Sequence, residues 1–227
     1  MKYKTLLFDI DDTLLDFKAA EKYAFTKLLE KMDVEPSEDA ILKYSEINLG
    51  LWEQFEKGQI ERNILLGKRF EDFFNLYQKD VIGSEMDKEF RAALEEGHFL
   101  IDGSIEILDQ LKHTHELYAV TNGVSKTQKR RLTDSGLLPY FKKVFVSEDT
   151  GFQKPMQEYF DYVFHRIPQF SLNDALIIGD SLTSDIKGGN IAGIDSCWFN
   201  PHKKPNPSSI EPTYQIEHLQ DLHAILA

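Results

Sequence analysis

The 227-residue chain carries 26 Lys and Arg against 38 Asp and Glu, a formal net charge of −12, with 41% hydrophobic and 28% charged residues. That is the make-up of a globular protein long enough for one large domain, or for a domain with a smaller one inserted. The acidic balance argues against a nucleic-acid polymer as partner, because such a partner needs a basic face; a small phosphate needs only local positive charge. The single cysteine, Cys197, lies in an apolar stretch, reads as a buried small hydrophobe, excludes an internal disulfide framework and fits a reducing cytoplasm. No apolar run approaches the length of a membrane span, and residues 1–4 leave no room for a signal peptide before the first apolar segment. The expectation is a cytoplasmic protein with no membrane partner.

In chain order, residues 5–10 form an apolar run that reads as a buried parallel strand. Residues 17–97 hold no convincing strand and read as helices: about 18–32, a second from Pro36 and Ser37 to near Gly58, a third over about 61–77, and a fourth from Ser84, with Asp87 as a capping-box partner, to Gly97. An insertion this long is not an idle loop. Residues 117–121, 143–147 and 175–179 repeat the buried-strand pattern, and 196–199 is a fifth candidate. Helical patterns at 104–112, 125–135, 156–166, 184–192 and 218–226 separate or follow them, and the proline-rich 200–209 reads as a surface loop. Strands alternating with helices predict an α/β fold with a doubly wound parallel sheet, residues 1–16 and 98–227, and an inserted α-helical domain, residues 17–97.

Polar residues follow each of the four strands. Asp9, Asp11 and Thr13 follow the first; Thr121, Asn122 and Gly123 the second; Lys154 and Pro155 lie beyond the third; Gly179, Asp180 and then Asp185 follow the fourth. In a parallel sheet these loops share one edge, where open α/β sheets bind ligands. Carboxylates as close as Asp9 and Asp11 both ionise comfortably only near a cation. The set suits phosphoryl transfer: a carboxylate nucleophile, a proton donor, a hydroxyl and a lysine for the phosphate, and acidic groups for Mg²⁺. Gly123 and Gly179 would let the backbone approach a ligand.

With these four motifs the chain resembles the haloacid dehalogenase-like hydrolase superfamily over essentially its whole length. The resemblance implies Asp9 as nucleophile, Asp11 as general acid and then base, Thr121 and Asn122 at the phosphate, Lys154 for charge balance, and Mg²⁺ on Asp9, Asp180 and the Asp11 backbone carbonyl. Thr13 would brace the acidic loop, and Asp185 would support the metal from outside or, as the alternative, cap the next helix. In this superfamily the helical cap chooses the substrate. Leu51 to Ile60, Leu65, Leu66, Arg69, Phe70, Phe73 and Phe74, with Val120 to Gly123, look like the bacterial pyrimidine 5′-nucleotidase branch. That implies a nucleoside monophosphate as substrate, with Phe17, and more weakly Trp52, Arg62 and Arg69, as contact candidates; most of the cap aromatics read as core. Sugar or small organic-acid phosphates, a phosphomutase and a phospho-Asp signalling receiver stay open as alternatives. The basic run Lys126, Lys129, Arg130 and Arg131 reads as a solvated helix face, and His113 and His115 as solvated residues at a helix end.

Overall fold

A computed structural model describes residues 2–227. They divide into two compact units, one made of the residues up to Asp16 together with Phe99–Ala227, the other of Phe17–His98. The first holds, among the described residues, six strands: β1 (Thr5–Phe8), β2 (Glu116–Thr121), β3 (Lys143–Val146), β4 (Ala175–Gly179), β5 (Asp195–Phe199) and β6 (Tyr214–Ile216). They form one sheet in the order β3-β2-β1-β4-β5-β6, every neighbouring pair parallel. β1 and β4 are buried throughout, as their unbroken apolar sequences require when both faces of a sheet are covered. Phe8 pairs with Ala119 on one side and Ile178 on the other, so the residues that follow these strands leave the sheet at the same edge. The strand order reverses at β1, and the crevice at such a reversal is where open α/β sheets take ligands.

The second unit is helical: α1 (Phe17–Lys31), α2 (Glu38–Glu56), α3 (Arg62–Asn75) and α4 (Gly83–Leu94). Ser37 caps α2 by accepting from the Ala40 N–H at 3.2 Å, and Glu38 and Asp39 lie in the first turn where the helix dipole favours them. Its core is aromatic: Phe25 stacks on Tyr44 at 3.8 Å, with Phe70, Phe73 and Phe90 around the pair. A buried polar ladder crosses that core. Glu21 accepts from Ser45 and Asn48, Arg69 donates to Asn48 and Asp87, and Asp87 also pairs with Arg91. This ladder corrects two expectations. Asp87 does not cap α4, which starts at Gly83 without a side-chain cap, because its carboxylate is held by two arginines. Arg69, read as a weak contact candidate, is buried in that pairing.

In the α/β unit the helices are α5 (Ser104–Leu111), α6 (Ser125–Asp134), the single turn α7 (Ser147–Thr150), α8 (Gln157–Phe164), α9 (Lys187–Ala192) and α10 (Leu222–Leu226). Alternation along β1 divides the core in two: Leu6 and Phe8 pack with Leu108, Leu132 and Leu222, whereas Leu7 packs with Val120, Phe145, Tyr159 and Ile177. Helices therefore cover both faces of the sheet. Several boundaries differ from the sequence reading. β1 stops at Phe8, β6 was unforeseen, and a wide turn over Leu182–Ile186 precedes α9. His113 is exposed as expected, but His115 is buried where the chain turns into β2, and burial lowers its pKa. Among the described residues no helix is long and apolar enough to cross a membrane.

Candidate active site

The site is built from the carboxyl ends of β1, β2 and β4 and the loop beyond β3. After β1, the Asp9 N–H donates to the Ile178 carbonyl at 2.9 Å, continuing the ladder for one residue. The chain then folds into a compact turn in which the Ile10 carbonyl accepts from Leu14 and Leu15, and the Asp12 N–H donates to the Leu15 carbonyl. Asp12 takes a left-handed conformation, φ 57°, which Asp tolerates better than most side chains. That turn keeps Asp9 and Asp11 at the sheet edge.

Asp9 is buried, and its Oδ1 accepts from Lys154 Nζ at 2.6 Å. Thr13 Oγ1 approaches Asp9 Oδ2 at 3.4 Å. Lys154 is also buried and places its three protons on Asp9, on Asp185 Oδ1 at 2.6 Å and on the Val120 carbonyl at 2.9 Å. Asn122 fixes the lysine's backbone from both sides, donating to the Lys154 carbonyl and accepting from its N–H, each at 2.9 Å. Asp185 is fully buried, and its Oδ2 accepts from the Ser181 N–H at 3.1 Å. It lies against Gly179, where an added Cβ would sit 2.2 Å from the Asp185 carboxyl, so any residue with a side chain would displace it. Asp180 is half-buried, and its carbonyl accepts from Trp198 Nε1 at 2.8 Å.

Asp9, Asp180 and Asp185 each offer a carboxylate oxygen within 4.8 Å of the others. One ammonium cannot offset three such neighbours. Burial pushes the Asp9 carboxyl up to about 8; Lys154 pulls it down, while Asp185 and Asp11 raise it. Desolvation, then Asp9 and Asp185, hold Asp180 well above the usual carboxylate range. Burial works against the Lys154 ammonium, but Asp185 and Asp9 outweigh it and raise its pKa. Crowded hard oxygen donors with surplus negative charge fit a divalent cation such as Mg²⁺.

Asp11 is part-exposed. Its Oδ2 accepts from Gln128 Nε2 at 2.7 Å, and its Oδ1 pairs with Arg131. Gln128 Nε2 also donates to Thr121 Oγ1 at 2.9 Å, so one amide joins the loops after β1 and β2. Arg131 is fully buried, which corrects its reading as part of a solvated face; Lys126, Lys129 and Arg130 are exposed. Gln128 was not singled out from sequence, and Arg131 only as part of that basic run. The signal available was helical spacing, since Gln128, Arg131 and Leu132 share one stripe of α6. Thus Asp9, Asp11, Thr13, Thr121, Asn122, Lys154, Asp180 and Asp185 are linked within the α/β unit. Phe17 and Trp52 belong to the helical unit: Phe17 opens α1, half-buried against the aromatic core, and Trp52 packs edge-on to Phe55 at 5.6 Å.

The family model described as haloacid dehalogenase-like hydrolase matches residues 6–199. HAD-hydrolase YfnB of Bacillus subtilis is 53% identical over 225 residues, covering 99% of this chain and 96% of YfnB. A magnesium-bound crystal structure of YfnB, in a form that reveals interdomain movement, covers 100% of this chain and 99% of its own at a TM-score of 0.95. Pyrimidine 5′-nucleotidase PynA of Streptococcus pneumoniae is 40% identical, covering 98% of this chain and 94% of PynA. Pyrimidine 5′-nucleotidase YjjG of Escherichia coli is 29% identical, covering 100% of this chain and 99% of YjjG.

Proposed function

The chain belongs to the haloacid dehalogenase-like hydrolases, and from that premise we propose that it is a Mg²⁺-dependent phosphomonoester hydrolase that removes the 5′-phosphate from nucleoside monophosphates, pyrimidine or noncanonical. The observation that carries the reading is the cluster of Asp9, Asp180 and Asp185 oxygens within 4.8 Å, with Lys154 Nζ 2.6 Å from two of those residues. Asp9, Asp180 and the Asp11 backbone carbonyl would hold the cation, and Asp185 would add charge beside it. When bound, the cation supplies the neutralisation that lets an anionic nucleophile meet an anionic phosphate.

The residues do the rest. Asp9 attacks phosphorus in line, so an Asp9–phosphorus bond forms as the ester P–O bond breaks. Asp11 gives its proton to the departing alkoxide, a role worth roughly 10²–10⁴-fold. It then takes a proton from water as that water attacks the phosphorus, releasing inorganic phosphate and restoring Asp9. Thr121 donates to the phosphoryl oxygens, and Lys154 holds a fixed positive charge beside the nucleophile. The helical unit, residues 17–97, would act as the cap that selects the leaving group, and Phe17 and Trp52 are the side chains proposed to contact a base.

The nucleotide assignment is supported by PynA and YjjG, whose names give that activity, and the metal by the magnesium in YfnB. The deciding experiment is a screen of phosphate esters with purified protein and Mg²⁺. Thymidine and uridine 5′-monophosphates should turn over best, and EDTA should abolish turnover until Mg²⁺ is restored. Preference for sugar phosphates would remove the nucleotidase assignment, and full activity in EDTA would remove the metal.

A further inference from the structure

We propose that Gln128 and Arg131 are positioning residues that fix the direction of two groups at once, the Thr121 hydroxyl and the Asp11 carboxyl. The inference rests on the acid–base role proposed above for Asp11.

The direction follows from counting protons. Gln128 Nε2 carries two, one given to Asp11 Oδ2 at 2.7 Å and one to Thr121 Oγ1 at 2.9 Å. Its Oε1 accepts from Arg131 Nη1 at 3.1 Å. The reversed amide would face its oxygen to a carboxylate and its NH₂ to a guanidinium, so the chemistry dictates the orientation. Thr121 Oγ1 also accepts from the Gly123 N–H at 3.1 Å. With both lone pairs filled, the hydroxyl keeps its own proton as a donor for a third partner. A phosphoryl oxygen needs a donor at that place.

The same clamp leaves Asp11 usable. Arg131 takes one of its oxygens and Gln128 the other, occupying two of about four lone-pair positions. The side chain keeps 28% of its surface exposed, so the remaining positions can meet a leaving oxygen or an attacking water. Gly123 makes the room this amide occupies, since a Cβ there would lie 2.7 Å from the Gln128 Cγ and 2.8 Å from its Nε2. α6 exposes Lys126, Lys129 and Arg130 but buries Arg131 completely. Burying a charge costs stability unless it is paired, and the pair here is with Asp11. Neutralising that carboxylate does not by itself require the amide bridge to Thr121, which couples the two motifs.

The test compares two esters, thymidine 5′-monophosphate, whose alkoxide must be protonated on leaving, and p-nitrophenyl phosphate, whose phenolate need not be. Both are read by single-turnover release of the leaving group, because the later hydrolysis of the Asp9 ester is common to both and also uses Asp11. Asp11→Asn is the reference and should slow release of thymidine far more than release of p-nitrophenolate. Arg131→Met should do the same more mildly, lowering the single-turnover rate on the nucleotide by about ten- to hundredfold with little change in the substrate concentration that half-saturates it. Arg131→Lys should recover part of that loss, because both contacts come from one nitrogen. Gln128→Leu should slow both esters through Thr121 and the nucleotide by a further factor through Asp11. If Arg131→Met does not fold, Gln128→Leu and Gly123→Ala, which displaces the amide while keeping every polar group, carry the test. Equal slowing of both esters by these variants beside a selective Asp11→Asn would overturn the positioning role alone. A non-selective Asp11→Asn would overturn the acid assignment and this inference with it.

Discussion

Replacing Lys154 by Met tests the electrostatic centre of the site. The ammonium is buried and gives charge-assisted hydrogen bonds to Asp9 and Asp185, each at 2.6 Å, plus one to the Val120 carbonyl. Methionine nearly matches its volume and donates nothing. Two carboxyl groups and a carbonyl would then face each other with no counter-charge, and breaking a buried pair from one side costs about 3–5 kcal/mol. Guanidinium chloride unfolding at pH 7 in EDTA measures this without a metal to compensate. The loss should shrink with acid. The Asp9 pKa is raised to about 8 in the folded protein, so protonation favours the folded state: its contribution is fully present below the unfolded carboxylate range and fades as pH rises through about 8. Removing Lys154, which pulls that pKa down, extends the window upward. Adding Asp185→Asn to Lys154→Met should restore part of the stability. A loss below about 1 kcal/mol at pH 7, the scale of an exposed pair, would refute the view that this ammonium holds the acidic cluster together.

Further outcomes follow from the same geometry. Gly179→Ala should cut turnover by about a hundredfold, since the Asp185 carboxyl must retreat by roughly 1 Å from a Cβ 2.2 Å away; near-normal kcat would mean Asp185 need not stay in place. Mg²⁺ should raise Tm more as pH climbs from about 5 to 8, because the cation needs the ionised forms of Asp9 and Asp180 while burial favours their protonated forms; a shift independent of pH would place the ion elsewhere. Arg69→Met should destabilise the protein by about 3–5 kcal/mol, because Asp87 and Asn48 lose a buried partner; an unchanged unfolding midpoint would show the ladder is dispensable.

Much of the α/β fold was legible because a strand covered on both faces must be apolar throughout, which makes residues 5–8, 117–121 and 175–179 conspicuous. The polar residues after those runs were legible for the same reason, since an acidic group cannot continue such a strand unpaired. β6 escaped because three residues, one of them exposed, give no pattern. Arg131 escaped because a basic run normally marks a solvated face, and only Asp11, 120 residues away in sequence, makes its burial tolerable. Asp87 escaped likewise: its cap-like spacing says nothing about Arg69 on the neighbouring helix. Buried polar residues are chosen by partners distant in sequence, and local periodicity does not record them.

The most direct measurement is chemical trapping of the nucleophile. The protein would be mixed with a good nucleotide substrate and Mg²⁺, quenched during turnover, treated with borohydride to reduce any acyl phosphate, and mapped by mass spectrometry. Asp9 as nucleophile predicts conversion of residue 9 alone to homoserine, dependent on substrate and absent in Asp9→Asn. Steady phosphate release with residue 9 unmodified, or with the modification at another carboxylate, would contradict it.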